Sequence, residues 1–131
     1  MIVNKGLISL AAAFSTALAV FSSDLQLKKQ TGEYLVEIRL DRRPPVVGDN
    51  KIEVEIRDAG GAFVSDAQVL VNYYMPPMPR MAPMNYKIKT DFKANKYKAK
   101  MKFIMAGPWI LAIKIAHKGK NLTAKFNIDV P

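Results

Sequence analysis

At 131 residues, half of them apolar, the chain can bury one hydrophobic core but not two, so a single domain with one principal site is expected. It contains no cysteine, which excludes disulfide staples, thiolate catalysis, thiolate metal sites and anchoring through a lipidated cysteine. Twenty basic residues against 11 acidic ones give a net charge of +9, a balance that suits anionic partners.

Residues 1–22 read as a secretory signal peptide. Lys5 supplies a short positive start, Gly6 to Phe21 carries no charge, and Ala17-Leu18-Ala19 offers small residues to a peptidase. This apolar run is shorter than the roughly 18–20 residues that cross a bilayer core, so an uncleaved anchor is the second choice. Cleavage after Ala19 and cleavage near Ser22 fit equally well. A periplasmic or extracellular location follows, and export removes nucleic acid from the partners that a basic chain would otherwise suggest. Without Lys5 the chain keeps 19 basic residues against 11 acidic ones, which points to anionic lipid headgroups or acidic proteins. Residues 23–32 read as a polar leader, and residues 33–131 as the folded domain.

From Glu33 onward apolar side chains alternate with polar ones at the period of a half-buried strand. Tyr34, Val36, Ile38 and Leu40 share one face, and Ile52, Val54 and Ile56 repeat the pattern after a turn placed at Gly48-Asp49-Asn50. Further strands are predicted over Gln68 to Met75, Asn85 to Phe92, Lys96 to Met105, Trp109 to His117 and Leu122 to Val130. The breaks between them carry turn chemistry: Asp58-Ala59-Gly60-Gly61, Ala94-Asn95, Gly107-Pro108 and Lys118-Gly119-Lys120-Asn121. About seven short strands in about 100 residues predict an all-β, immunoglobulin-like antiparallel sandwich. Trp109 shares the apolar face of its strand with Leu111, Ile113 and Ile115, which makes it a core anchor.

One segment breaks this pattern. Between Tyr74 and Tyr86, methionine recurs at every third position as Met75, Met78, Met81 and Met84, with four of the eight prolines of the chain between them. Proline fixes φ and removes amide donors, so an extended polyproline-II conformation is expected, with three residues per turn and the four methionines on one face about 9 Å apart. Thioether sulfur is a soft ligand with no proton to lose, and among biological ions it suits Cu(I), whereas zinc would ask for cysteine or several histidines. The same residues also make an adaptable filler or a docking surface for an apolar groove, so both readings stay open.

His117, the single histidine of the chain, is a further nitrogen ligand or an exposed strand end. Met105 beside the Gly107-Pro108 turn is a further sulfur ligand, while Met101 reads as core. Lys96, Lys98, Lys100 and Lys102 form an outward row about 7 Å apart, which with Lys87 and Lys89 makes a basic stripe. That stripe is either a solvated face guarding a sheet edge or a contact for an anionic membrane surface. No nucleophile and base come together in the sequence, so an enzyme is not expected.

Gly48-Asp49-Asn50, the stretch from Asp58-Ala59-Gly60-Gly61 to Asp66-Ala67, Met75-Pro76-Pro77-Met78-Pro79 and Met105-Ala106-Gly107-Pro108-Trp109 together resemble the YtkA-like domain family, to which FixH-like proteins are related. The resemblance spans about residues 33 to 117. It implies an immunoglobulin-like sandwich in a small exported or membrane-attached protein, in the setting of heavy-metal efflux or copper-dependent oxidase assembly. Membrane proteins of those systems are the partners it implies, and its signature falls on Met75, Met78, Met81, Met105 and Trp109. The sequence departs from the resemblance at Arg80, where a small residue is expected, and in lacking the histidines of related copper-binding segments. The expected function is a binding domain that holds or hands over Cu(I) through the methionine segment; the alternative is an interaction module that docks the same segment on a membrane or efflux complex without metal.

Overall fold

The computed structural model describes residues 24–131. The signal-peptide reading of residues 1–22, and the location drawn from it, fall outside the described residues. Among these, nine strands run in order: β1 (Leu25–Thr31), β2 (Tyr34–Leu40), β3 (Gly48–Arg57), β4 (Gln68–Tyr74), β5 (Asn85–Lys89), β6 (Asp91–Lys93), β7 (Lys96–Phe103), β8 (Gly107–His117) and β9 (Lys120–Val130). They form two antiparallel sheets, β1-β2-β3-β7-β6 and β5-β4-β8-β9. With β1 set aside, this is the A-B-E-D and C′-C-F-G order of an immunoglobulin-like sandwich, as the alternation predicts.

Period-two patterning decides which face each strand buries. Val36, Ile38, Leu40, Ile52, Val54 and Ile56 line the inner face of the first sheet, and Val71, Trp109, Leu111, Ile113 and Ile115 that of the second; all are buried. Each large aliphatic side chain removed from water in this way contributes about 1.5–3 kcal/mol before entropy is counted.

The strand assignments depart from the sequence reading in three places. Residues 25–31, read as leader, are an edge strand paired with β2 along its whole length, Leu25 opposite Leu40 and Thr31 opposite Tyr34. Leu25 and Leu27 pack against the core, which is enough apolar area to hold an otherwise polar strand. Gly48-Asp49-Asn50 opens β3 and is no turn. Its buried Asn50 instead shapes the loop before it, donating from Nδ2 to the carbonyls of Val46 (2.7 Å) and Gly48 (3.0 Å) while its Oδ1 accepts from the Val46 amide (3.1 Å).

The predicted strand Asn85 to Phe92 divides at Thr90, so that β5 lies in one sheet and β6 in the other. The Thr90 hydroxyl donates to the Val69 carbonyl at 2.8 Å and marks the corner. Lys87 and Lys89 therefore belong to the sheet opposite Lys96, Lys98, Lys100 and Lys102, and the two sets make no common stripe. Within its own sheet the β7 row is partly neutralised: Glu53 lies 3.4 Å from Lys96 and 3.6 Å from Lys98, and Asp49 sits in register with Lys102.

Antiparallel pairing gives the sandwich two distinct ends. One gathers the β8–β9 turn and the β3–β4 connection, and polar groups fasten it. The Tyr97 hydroxyl donates to the Val64 carbonyl (2.8 Å) and accepts from the Ala67 amide (3.1 Å). His117 is buried here, with Nδ1 2.8 Å from the Tyr34 hydroxyl and Nε2 2.7 Å from Asp66 Oδ1. A neutral ring protonated at Nε2 satisfies both contacts, donating to the carboxylate and accepting from the phenol. The alternation could not show this, because the partners of His117 come from the start of β2 and from a loop 51 residues away.

The hydrogen bond from His117 holds the Asp66 carboxyl below its ordinary value of 3.8. A depressed carboxyl stabilises the fold above its unfolded pKa, and this contribution is lost as pH falls through the folded value. Asp66→Asn, which keeps an acceptor oxygen but not the charge, is expected to lower the melting temperature at pH 7. The gap from wild type should then narrow as pH falls below about 4, as followed by circular dichroism melts.

Candidate functional site

The other end of the sandwich carries the methionine segment, which joins β4 to β5. The ladder between these strands runs from Leu70 opposite Lys89 to Tyr74 opposite Asn85, and one further hydrogen bond, from the Met75 amide to the Met84 carbonyl (3.2 Å), closes the neck of the loop. Below the neck, Asn72 donates from Nδ2 to Asn85 Oδ1 (2.5 Å) and to the Tyr86 carbonyl (2.9 Å), which pins the two strands at the point where regular pairing stops.

At the tip, Met78-Pro79-Arg80-Met81 forms a turn closed by a hydrogen bond from the Met81 amide to the Met78 carbonyl (3.3 Å). Proline in its second position and a left-handed third residue, Arg80 at φ 68°, are the marks of a type II turn. The extended polyproline row is therefore not what forms. Methionines spaced three apart, folded back between residues 79 and 80, fall into two facing pairs: Met75 with Met84 at the neck, and Met78 with Met81 at the turn. Paired α-carbons across such a hairpin lie about 5–7 Å apart, closer than the roughly 9 Å of an unbent polyproline helix.

All four methionines line a single cavity of about 290 Å³, whose walls also include Tyr74, Pro76, Pro77, Ala82, Pro83 and Asn85. Their exposure is graded. Met75 is 7% exposed and part of the core, Met78 and Met84 are half-buried, and Met81 is 40% exposed at the rim.

An aromatic floor supports the loop from within. Tyr73 packs against Tyr86 (ring centroids 5.3 Å apart), edge-to-face against Phe103 (5.8 Å), and against Trp109 (6.0 Å), and Phe103 packs against Trp109 (5.2 Å). Trp109 is the buried anchor that the sequence predicts, and it also holds the neighbouring turn: its Nε1 donates to the Met105 carbonyl at 3.0 Å. Gly107 brings that turn against the methionine loop. Its φ is 131°, and a Cβ there would lie 2.8 Å from the Met75 methyl carbon.

The predicted ligands thus separate. Met75, Met78, Met81 and Met84 share one cavity. Met105 is half-buried on the β7–β8 turn at the same end and does not line it. His117 lies at the far end of β8, eight residues beyond Trp109, which is about 26 Å along a strand. It cannot join the thioethers, and it is neither exposed nor without partners. Among the described residues, no group of three or more His, Asp or Glu side chains comes together to hold a metal. The donor set at this end is therefore sulfur, with Arg80 as a nearby positive charge on the exposed tip.

The sequence model of the YtkA-like family matches residues 28–114, more than half of the chain. The chain belongs to the YtkA-like family. The matched stretch contains the methionine loop and the turn from Met105 to Trp109, and stops short of His117. No curated protein matches this YtkA-like chain. Among solved structures it is similar to the PmoD soluble domain from Methylocystis sp. (Rockwell), with a TM-score of 0.57 and 13% identity over 76% of this chain and 94% of that one. At that identity the likeness supports the sandwich fold.

Two backbone positions test this arrangement. Gly107→Ala must strain a left-handed backbone and displace the Met75 methyl group, so a loss of about 1–2 kcal/mol is expected, read as a drop of several degrees in melting temperature. Arg80→Gly should be neutral or stabilising by up to about 1 kcal/mol, and Arg80→Val destabilising by about the same amount, because only glycine adopts the third position of this turn freely. Urea denaturation of the three proteins measures both.

Proposed function

We propose that this YtkA-like domain binds Cu(I) as a cargo through the thioethers of Met75, Met78, Met81 and Met84 and passes it on by ligand exchange. The observation that carries this reading is that all four side chains line one cavity of about 290 Å³. Thioethers are neutral, soft donors, and a site built from them alone favours Cu(I) over zinc, calcium or magnesium. The graded burial suits transfer. Met75 is held by the core and by Gly107, while Met81 stands at the rim, where an incoming ligand of an acceptor can displace it. Methionine has three rotatable bonds, so the set can close around an ion without moving the backbone. Arg80 opposes a cation and keeps the affinity low enough for release. The family resemblance supports a heavy-metal handling setting, in which a membrane efflux or oxidase-assembly protein would give or receive the ion.

A second reading, docking on such a partner without metal, is favoured by a different observation. Val47 (49% exposed), Met81 (40%) and Ile104 (47%) are apolar side chains standing bare on three loops at this same end.

Anaerobic Cu(I) titration against a competing chelator separates the two. Wild type is expected to take copper from the chelator, and a variant with all four methionines changed to leucine to lose affinity by at least ~100-fold, because leucine keeps the volume and removes the sulfur. Wild-type affinity should also be nearly flat from about pH 5 to pH 8, since no donor gives up a proton. Equal, weak competition by both proteins would end the copper reading and leave the docking one.

A further inference from the structure

Besides the β7 row, four lysines gather on the outer face of the four-stranded sheet. Register places two rows of residues across that face. Lys89, Leu70, Lys114 and Thr123 stand side by side in one, and Lys87, Asn72, Ala112 and Lys125 in the next. All four lysines are exposed. None lies within salt-bridge distance of a carboxylate among the described residues, and Lys29 adds a fifth cation by donating to the Lys125 carbonyl at 3.1 Å. The carboxylate on this face is Asp129, in register with Pro108 and four residues, or about 13 Å, beyond Lys125. The opposite sheet carries Glu37, Asp49, Glu53 and Glu55 among its own lysines and arginines.

The face is also hollow. The floor between the lysines is built from Leu70, Asn72, Ala112 and Ala116, three of them small or buried, and two depressions of about 740 Å³ and 470 Å³ meet along it, sharing Lys114 and Thr123. Lys89 lines the larger, which extends to Phe92 and Tyr97 of the other sheet, Lys125 lines the smaller, and Lys87 stands beside them, next to Asn72. Two or three strand spacings separate the lysines across the trough, about 10–14 Å. Along β5, Lys87 and Lys89 stand about 7 Å apart, the distance between alternate side chains of an extended peptide.

We infer that this trough is a docking site for an acidic polypeptide segment lying in extended form along the strands. Carboxylates at alternate positions of such a segment meet Lys87 and Lys89 on one wall, while those of the other parity face Lys114 and Lys125. A flat bilayer would meet the tips of the lysines and leave the floor of the trough uncovered; an inserted chain covers it, and the amides of Asn85 and Asn121 flank its path. The binding is electrostatic and weakens with salt. It involves neither the methionine cavity nor copper.

The test is fluorescence anisotropy of a labelled decaglutamate peptide titrated with the full chain. Binding is expected at low ionic strength, weakening by about tenfold or more in the Lys87→Ala/Lys89→Ala variant and again in Lys114→Glu. It should change less than about twofold in Lys100→Ala/Lys102→Ala, which removes the same charge from the other sheet. Equal weakening by the two double variants would show a response to net charge alone and overturn the proposal. So would capture by phosphatidylserine vesicles that depends on Lys87 and Lys89 while decaglutamate does not bind.

Discussion

The methionine end depends on one constraint, the reversal of the chain at Pro79–Arg80. Without it, prolines at 76, 77, 79 and 83 would hold the segment extended and carry the sulfurs apart. With it, a spacing of three becomes a two-by-two arrangement, because Met75 and Met84, and Met78 and Met81, lie equally far from the fold-back point. Proline favours the second position of the turn, but the third must adopt a left-handed conformation, which Arg80 does at a cost of about 1 kcal/mol. That cost is offset outside the turn, by the Met75–Met84 neck, the side-chain bonds of Asn72 and the aromatic floor beneath.

Much of this architecture was legible in the residues. The alternation of Tyr34, Val36, Ile38 and Leu40, and that of Trp109, Leu111, Ile113 and Ile115, placed strands and core face together. Ala94-Asn95 marked a two-residue hairpin, confirmed by positive φ at both positions. What was not legible concerns where strands go rather than whether they form. Nothing in Asn85 to Phe92 announces that the chain changes sheets at Thr90, since the same alternation fits either sheet. That single event moved Lys87 and Lys89 away from the β7 row and onto the face they share with Lys114 and Lys125.

The site shows the same division. The choice of Met75, Met78, Met81 and Met84 came from composition and spacing, and the structure brings those four to one cavity. Their mutual geometry was hidden because an arginine occupies the turn position where glycine or asparagine would have signalled a reversal. Gly107 was read only as a turn residue; its contact with the Met75 methyl joins elements 32 residues apart in the chain, and no local pattern carries such information. His117 was misjudged for the same reason, its partners being Tyr34 and Asp66.

The two ends of the sandwich consequently differ in how they resist change. At the His117 end, the buried His117 ring and the Tyr97 hydroxyl each have two polar partners, and displacing one of them leaves its neighbour without a hydrogen bond, a penalty of about 1–3 kcal/mol for each group. At the methionine end, the Asn72 hydrogen bonds and the aromatic floor hold the base of the loop, while the contacts within the loop are thioethers, which exchange neighbours at little cost because dispersion has no strong direction. The proposed transfer of a soft ion would need adaptable contacts around the ion and more rigid ones beneath it. The Asn72 hydrogen bonds and the aromatic floor lie below the thioethers rather than among them, and keep the loop anchored while its side chains rearrange.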